Sequence, residues 1–229
     1  MEFSRVRGGA LGVLVGLTVA MTGMAPAAFA TSGQGGCVTV PSPYQKQVEK
    51  QLRLRADGSQ SPADCKAIQK FQRREGLSPA NGYASPATLH LLTVASARKN
   101  PNAAGKCPVR SWRVACVDLS RQLMWVQRGR KVIYGAVPIR SGRKGLETRG
   151  GWHSITRKKR DEISTLYHNT PMPHSQYFAG GQALHGSLTN LFTGPGSAGC
   201  VNLRPADAAR LWNVLQVGDT VYVYGHKPS

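Results

Sequence analysis

Between Ala97 and Trp112 the chain changes its period, and that change bounds what it can fold into. Ahead of the break, Tyr44, Val48 and Leu52 recur at i, i+4 and i+8. Cys65, Ile68 and Phe71 follow at three-residue steps, and Leu89, Leu91 and Leu92 form a third group. These are the stripes of three one-faced helices. Ser42-Pro43, Ser61-Pro62 and Ser85-Pro86 each set a capping hydroxyl before a proline suited to a first helical turn. Gln45 and Asp64 stand where each of the first two helices would close a capping box. Beyond the break, Val114 to Leu119, Gln122 to Gln127 and Lys131 to Ile139 are short runs rich in Val, Ile, Trp and Tyr. They read as strands, with Arg128-Gly129 as a hairpin turn. Arg204-Pro205 opens one late helix through about Leu215, and Thr220 to Tyr224 reads as a last strand. The expected fold is multidomain: a small all-α three-helix domain over residues 31–98, a linker over 99–111, and a mostly-β domain with one late helix over 112–229.

A bundle of three short helices has too little core to hold itself without a staple. Cysteine usage supplies one. Residues 1–30 carry Arg5 and Arg7, an apolar run from Ala10 to about Met24, and Ala28-Phe29-Ala30. That is the form of a cleaved export signal, too short in its apolar part to span a membrane, and nothing later approaches a spanning length. The mature chain then keeps Cys37, Cys65, Cys107, Cys116 and Cys200, an odd number in a compartment that permits disulfides. Four cysteines allow three pairings. Cys37–Cys65 and Cys107–Cys116 are expected, because each bridge then lies inside one domain. Cys200 is the thiol left over.

Its surroundings suit chemistry. His185 lies fifteen residues ahead of Cys200, and Gly186, Gly194, Pro195, Gly196 and Gly199 between them let the chain loop out and return. An imidazole beside a thiol can take its proton, and the thiolate is the species that attacks a carbonyl carbon. Gly199 lets backbone amides approach beside the sulfur, where they could hold an oxyanion. The plain alternative, a structural cysteine and an ordinary strand histidine, would hold for most such pairs. The pattern His185-Gly186, a return loop, then Ser197-x-Gly199-Cys200-Val201-Asn202 resembles the signature of the L,D-transpeptidase (YkuD-type) catalytic domain. It departs at Ala198, where many relatives carry a second histidine.

That resemblance implies a fold and a set of roles. It implies a cysteine nucleophile at Cys200, a base at His185 oriented by the carbonyl of Gly186, and oxyanion donors at Gly199 and Cys200. It implies that Gly180, Gly181 and Asn202 hold a donor peptide. Tyr167 and Met172, on the approach to that glycine pair, are further candidates for the same surface, with core packing as the alternative. The implied reaction attacks the third residue of a peptidoglycan stem tetrapeptide, expels D-Ala and passes the acyl group to an amine, giving a 3→3 cross-link. No cofactor is called for. Hydrolysis to the tripeptide, or a wall-binding protein with an inert Cys200, are the alternatives. Asp64 to Gln72, with Ala67-Ile68 and Phe71-Gln72, then Glu75-Gly76-Leu77, Gly82-Tyr83 and Thr88, resembles the type 1 peptidoglycan-binding domain; a helical spacer is the alternative.

The charge of +19 falls to +18 with the leader, since Glu2, Arg5 and Arg7 go with it. An exported protein so basic meets anionic wall polymer before it meets DNA, so nucleic acid is the weaker partner. Arg157-Lys158-Lys159-Arg160 reads as a solvated loop, or as a contact for such polymer. Zinc is the first rival chemistry, with His153, His168, His174, His185 and Cys200 available, but their spacings match no familiar ligand pattern and no metal is expected. Papain-like peptidases place the cysteine before the histidine, and sortases separate the two much more widely. The reading is a secreted, wall-associated enzyme.

Overall fold

The computed structural model describes residues 36–165, 167 and 169–228; the expected leader at 1–30, Leu166 and His168 lie outside the described residues. Among the described residues three helices come first: α1 (Gln45–Leu52), α2 (Pro62–Arg74) and α3 (Pro86–Ala97). Ser61 and Asp64 form the full capping box, and Ser85 accepts the Thr88 N–H. Ser42 does not cap α1. Its hydroxyl donates to Ala84 O at 2.5 Å and accepts the Tyr44 N–H, so it ties the segment to the region before α3 instead. Gln45 in turn donates to Glu49 and Gln60. Val48, Ile68, Phe71, Leu91 and Leu92 close over one another as a small apolar cluster. Cys37 and Cys65 are bridged, as are Cys107 and Cys116, and Cys200 is the free thiol among the described residues.

Nine strands follow among the described residues. β1 (Arg113–Asp118), β2 (Leu123–Arg128) and β3 (Lys131–Pro138) match the expected runs closely. β4 (Gly151–Ser154), β5 (Arg157–Ser164), β6 (Thr170–Ala179), β7 (Gln182–Gly186) and β8 (Val201–Leu203) follow, then α4 (Pro205–Trp212) and β9 (Thr220–Tyr224). They form a five-stranded sheet, β3-β2-β1-β9-β4, and a four-stranded sheet, β5-β6-β7-β8. Two pairings are parallel, β1 with β9 and β7 with β8.

Strand alternation decides which side each residue serves. Ala115, Val117, Met124, Val126, Val221 and Val223 point to one core, with Leu184, Val201 and Leu203 of the second sheet and Leu211 of α4. Their neighbours Val114, Cys116, Leu123 and Trp125 point the other way, where Val94 and Ala97 of α3 cover them. The centre of the five-stranded sheet, β1 and β2, is therefore buried on both faces, while the edge strand β4 is exposed, and each wholly buried aliphatic side chain contributes about 1.5–3 kcal/mol.

This arrangement corrects the expectation of a separate all-α domain. The helices exist, but residues 34–229 form one compact unit with the sheets. The physical reason is α3, whose residues are shared between the helical cluster and the outer face of β1 and β2. Glu75 at the end of α2 adds to the join, since its carbonyl accepts from Arg204 at 3.0 Å.

The basic run is a second correction. Arg157 to Arg160 begins the edge strand β5 rather than a loop. Lys158 donates to the carbonyls of Trp212 and Leu215 at 2.7 and 2.6 Å, satisfying the end of α4, and lies 4.2 Å from the Trp212 ring. Arg157 lies over Tyr177 at 4.3 Å. Among the described residues no helix is long and apolar enough to cross a membrane.

Candidate active site

Parallel pairing of β7 with β8 builds the site. Leu184 pairs with Val201, His185 with Asn202 and Gly186 with Leu203. Leu184, Val201 and Leu203 face the core. The period of two then turns His185 and Asn202 to the opposite face, and Cys200, two residues before Asn202, turns with them. Residues fifteen apart in sequence become neighbours because a parallel strand must start again at the same end.

The same strand is held from its other side. Asn202 and Arg140 exchange backbone hydrogen bonds, each at 3.0 Å, and Gly142 bridges to Ser197. Arg140 donates to the carbonyls of Asn190 and Thr193 and to the Thr189 hydroxyl, and Lys227 donates to Pro195 O. The loop between His185 and Cys200 is thus tied down from two directions.

His185 is 6% exposed. Its Nδ1 lies 2.8 Å from the Gly186 carbonyl, which can only accept, so the proton is on Nδ1 and Nε2 carries the free lone pair. Burial holds its pKa below the ordinary value; the Gly186 bond opposes this and Arg140 adds to it. Burial pushes the Cys200 thiol up, opposed by the Ala183 N–H that donates to Sγ at 3.4 Å. Both shifts favour the uncharged forms, a neutral imidazole and a neutral thiol, on one cavity lining. The Ser197 hydroxyl donates to the Cys200 carbonyl and accepts the Gly199 N–H at 3.0 Å. The Gly199 amide is thereby occupied.

A cavity of about 150 Å³ opens over the pair. Tyr167, Thr170, Met172, Arg143, Ser197 and Ala198 line it together with the pair. Residues 113–223 match the family model for the YkuD L,D-transpeptidase catalytic domain. A solved L,D-transpeptidase from Stackebrandtia nassauensis is 37% identical, over 84% of this chain and 95% of its own, with a TM-score of 0.67. The chain belongs to the L,D-transpeptidase family. The family model spans under half of the chain, and the likeness to that structure extends beyond it to 84%. A second structure, residues 123–326 of an L,D-transpeptidase from Xylanimonas cellulosilytica, is 25% identical over 84% of this chain and 98% of its own, at a TM-score of 0.47. No curated protein sequence matches the chain.

In this L,D-transpeptidase the sequence-derived candidates divide. Cys200, His185, Asn202, Tyr167 and Met172 line the cavity, whereas Gly180, Gly181, Gly186 and Gly199 do not. Gly180 and Gly181 make the β6–β7 turn, both at positive φ, 49° and 91°. His153 contacts the carbonyls of Arg149 and Gly150, and His174 packs edge-on to Trp212, so neither joins the site. Arg143, Ser164 and Thr170 were missed. Their signal in the sequence is slight: Arg143 follows Ser141-Gly142, a turn pair that gives no hint of pairing with Ser197.

Proposed function

We propose that this L,D-transpeptidase acts through Cys200 on a peptidoglycan stem tetrapeptide. The supporting observation is the neutral His185, its tautomer fixed by Gly186, on the same strand face as Cys200 beneath one cavity. Nε2 takes the thiol proton as sulfur attacks the carbonyl of the third stem residue. The Cys200 N–H is the remaining local donor for the oxyanion, since Gly199 N–H is held by Ser197. The tetrahedral intermediate then expels D-Ala, whose amine receives the proton from His185. A side-chain amine of a neighbouring stem attacks the thioester, gives up its own proton, and returns the thiol, leaving a 3→3 cross-link.

The two disulfides and the leader-like residues 1–30 support export to the wall. Helices α1–α3 carry the peptidoglycan-binding likeness and the basic surface favours anionic wall polymer, so binding of the full chain to sacculi should weaken with salt.

Incubation with a tetrapeptide muropeptide, followed by mass analysis of protein and products, tests the reading. An adduct on Cys200 and 3→3 dimers are expected. Tripeptide alone would make the enzyme a carboxypeptidase, and turnover by Cys200→Ala would overturn the thiol mechanism.

A further inference from the structure

Arg143 is the one formally charged side chain among the described residues lining the cavity over Cys200. Its main chain is fixed against the cysteine segment. Its N–H donates to Ser197 O at 2.9 Å, and its carbonyl accepts the Leu146 N–H at 2.9 Å in the turn that follows. Nearby cations are committed to the protein: Arg140 to the β7–β8 loop, and Lys227 to Pro195. The Arg143 guanidinium, half-buried, has no hydrogen-bond or ion-pair partner among the described residues. On its wall the Ser197 hydroxyl is engaged with Cys200 and Gly199, and Ala198 offers no polar group. A five-donor fork without a partner, beside a nucleophile, is built to receive an oxyanion pair such as a carboxylate.

We infer that Arg143 binds the terminal carboxylate of the residue that Cys200 expels, and so restricts attack to the last peptide bond of the donor. The inference rests on the acyl-transfer reading above. One residue spans about 3.3–3.6 Å of extended chain. A free carboxylate on the leaving residue therefore lies within one residue of the attacked carbonyl, inside the cavity that Arg143 lines with Cys200. The acyl side of the donor is left to Tyr167, Thr170 and Met172, which line the same cavity. In a donor one residue longer, an amide stands where the charge is required, and its carboxylate is displaced by a residue's length. In a donor with an amidated end the charge is absent.

The test compares wild type, Arg143→Gln and Arg143→Lys on three muropeptide donors: the tetrapeptide, its C-terminal amide and the pentapeptide. Wild type should favour the tetrapeptide acid by about 10- to 100-fold in kcat/KM, the span of a charge-assisted hydrogen-bonded pair. Arg143→Gln should lose that preference chiefly through KM and treat acid and amide alike. Arg143→Lys should recover part of it, as a point charge without the fork. Arg143→Gln protein should keep the wild-type circular dichroism spectrum and still be alkylated at Cys200, which shows the site assembled. If wild type acts on the tetrapeptide and Arg143→Gln keeps the full preference for acid over amide, the assignment is wrong. If wild type forms no thioester with any donor, the acyl-transfer reading fails first, and Arg143 with it.

Discussion

The Thr148 hydroxyl donates to the Gly199 carbonyl at 2.9 Å, and it accepts the Gly142 N–H at 3.0 Å. A buried side chain from the long β3–β4 connection thus holds the residue before the nucleophile. Thr148→Val keeps the shape and removes both bonds, leaving a buried donor and acceptor unmatched. A loss of about 1–3 kcal/mol is expected in urea unfolding. Turnover should fall as well, because Gly199 and Cys200 are freed to shift. Thr148→Ser should restore most of both, and equal stability of Val and Thr forms would contradict the role.

Gly199 answers Thr148 from the other side. It sits at φ 110°, and a Cβ there would collide with the Gln182 side chain. That side chain is itself held, donating to Glu147 O and accepting the Arg149 N–H, both at 2.9 Å. Gly199→Ala is expected to retain the fold, because strain at one loop position costs about 1–3 kcal/mol. It should slow acylation by at least tenfold. Circular dichroism and thioester formation measured together check this. Wild-type acylation in a folded Gly199→Ala protein would refute it.

The pH behaviour follows from the two opposed shifts. His185 must be neutral to act, and its value is depressed, so the acid limb of the rate should fall below the ordinary imidazole range. Between its folded and unfolded values the unfolded chain binds more protons, so stability is lost as pH falls through that window. Cys200 behaves in reverse. Its raised value means the folded state holds the proton more tightly, and stability is lost as pH rises above the ordinary thiol range. Cys200→Ser should flatten the alkaline limb of a stability–pH curve. An unchanged limb would show that the buried thiol is not its source.

Glu75 gives a prediction for the join of helices and sheets. It is 6% exposed and takes a two-pronged contact from Arg98 at 3.0 and 2.6 Å. Burial alone would raise its carboxyl; Arg98 foremost, with Arg74, outweighs this and holds it below the usual range. The stabilisation is present above the carboxyl's unfolded value and lost as pH falls through the lower folded one. Glu75→Gln should cost about 1–2 kcal/mol near neutrality, the Arg98 end being partly open to water, and less in acid. Urea melts at the two pH values measure the difference.

The parts of the fold that were legible in sequence are those in which one pattern meets one partner. The helices α2 and α3 began where Ser61 and Ser85 stand before proline, and β1 and β2 were visible because both of their faces are buried. Strand β5 was not, since its charged side chains lie along the surface and Lys158 answers to α4. Ser42 looked like a cap and became a tether, because the Ala84 carbonyl competes for its hydroxyl. At the site, His185 and Cys200 were readable as local motif. Thr148 and Arg143 were not, as their meaning comes from pairing with residues about fifty positions away.

The parallel alignment of β7 and β8 has a consequence for how much the site can vary. A hairpin would have bound His185 and Cys200 to a short turn, so that any insertion moved one against the other. A parallel neighbour requires a return path of about a dozen residues or more, and residues 187–200 supply it. Lengthening such a loop costs only slowly growing entropy, while the register that sets imidazole beside sulfur stays where the two strands put it. The distance between base and nucleophile is therefore insulated from the length of chain between them. Grafting extra residues between Leu188 and Asn190 should alter what the enzyme meets at its rim without altering how it attacks.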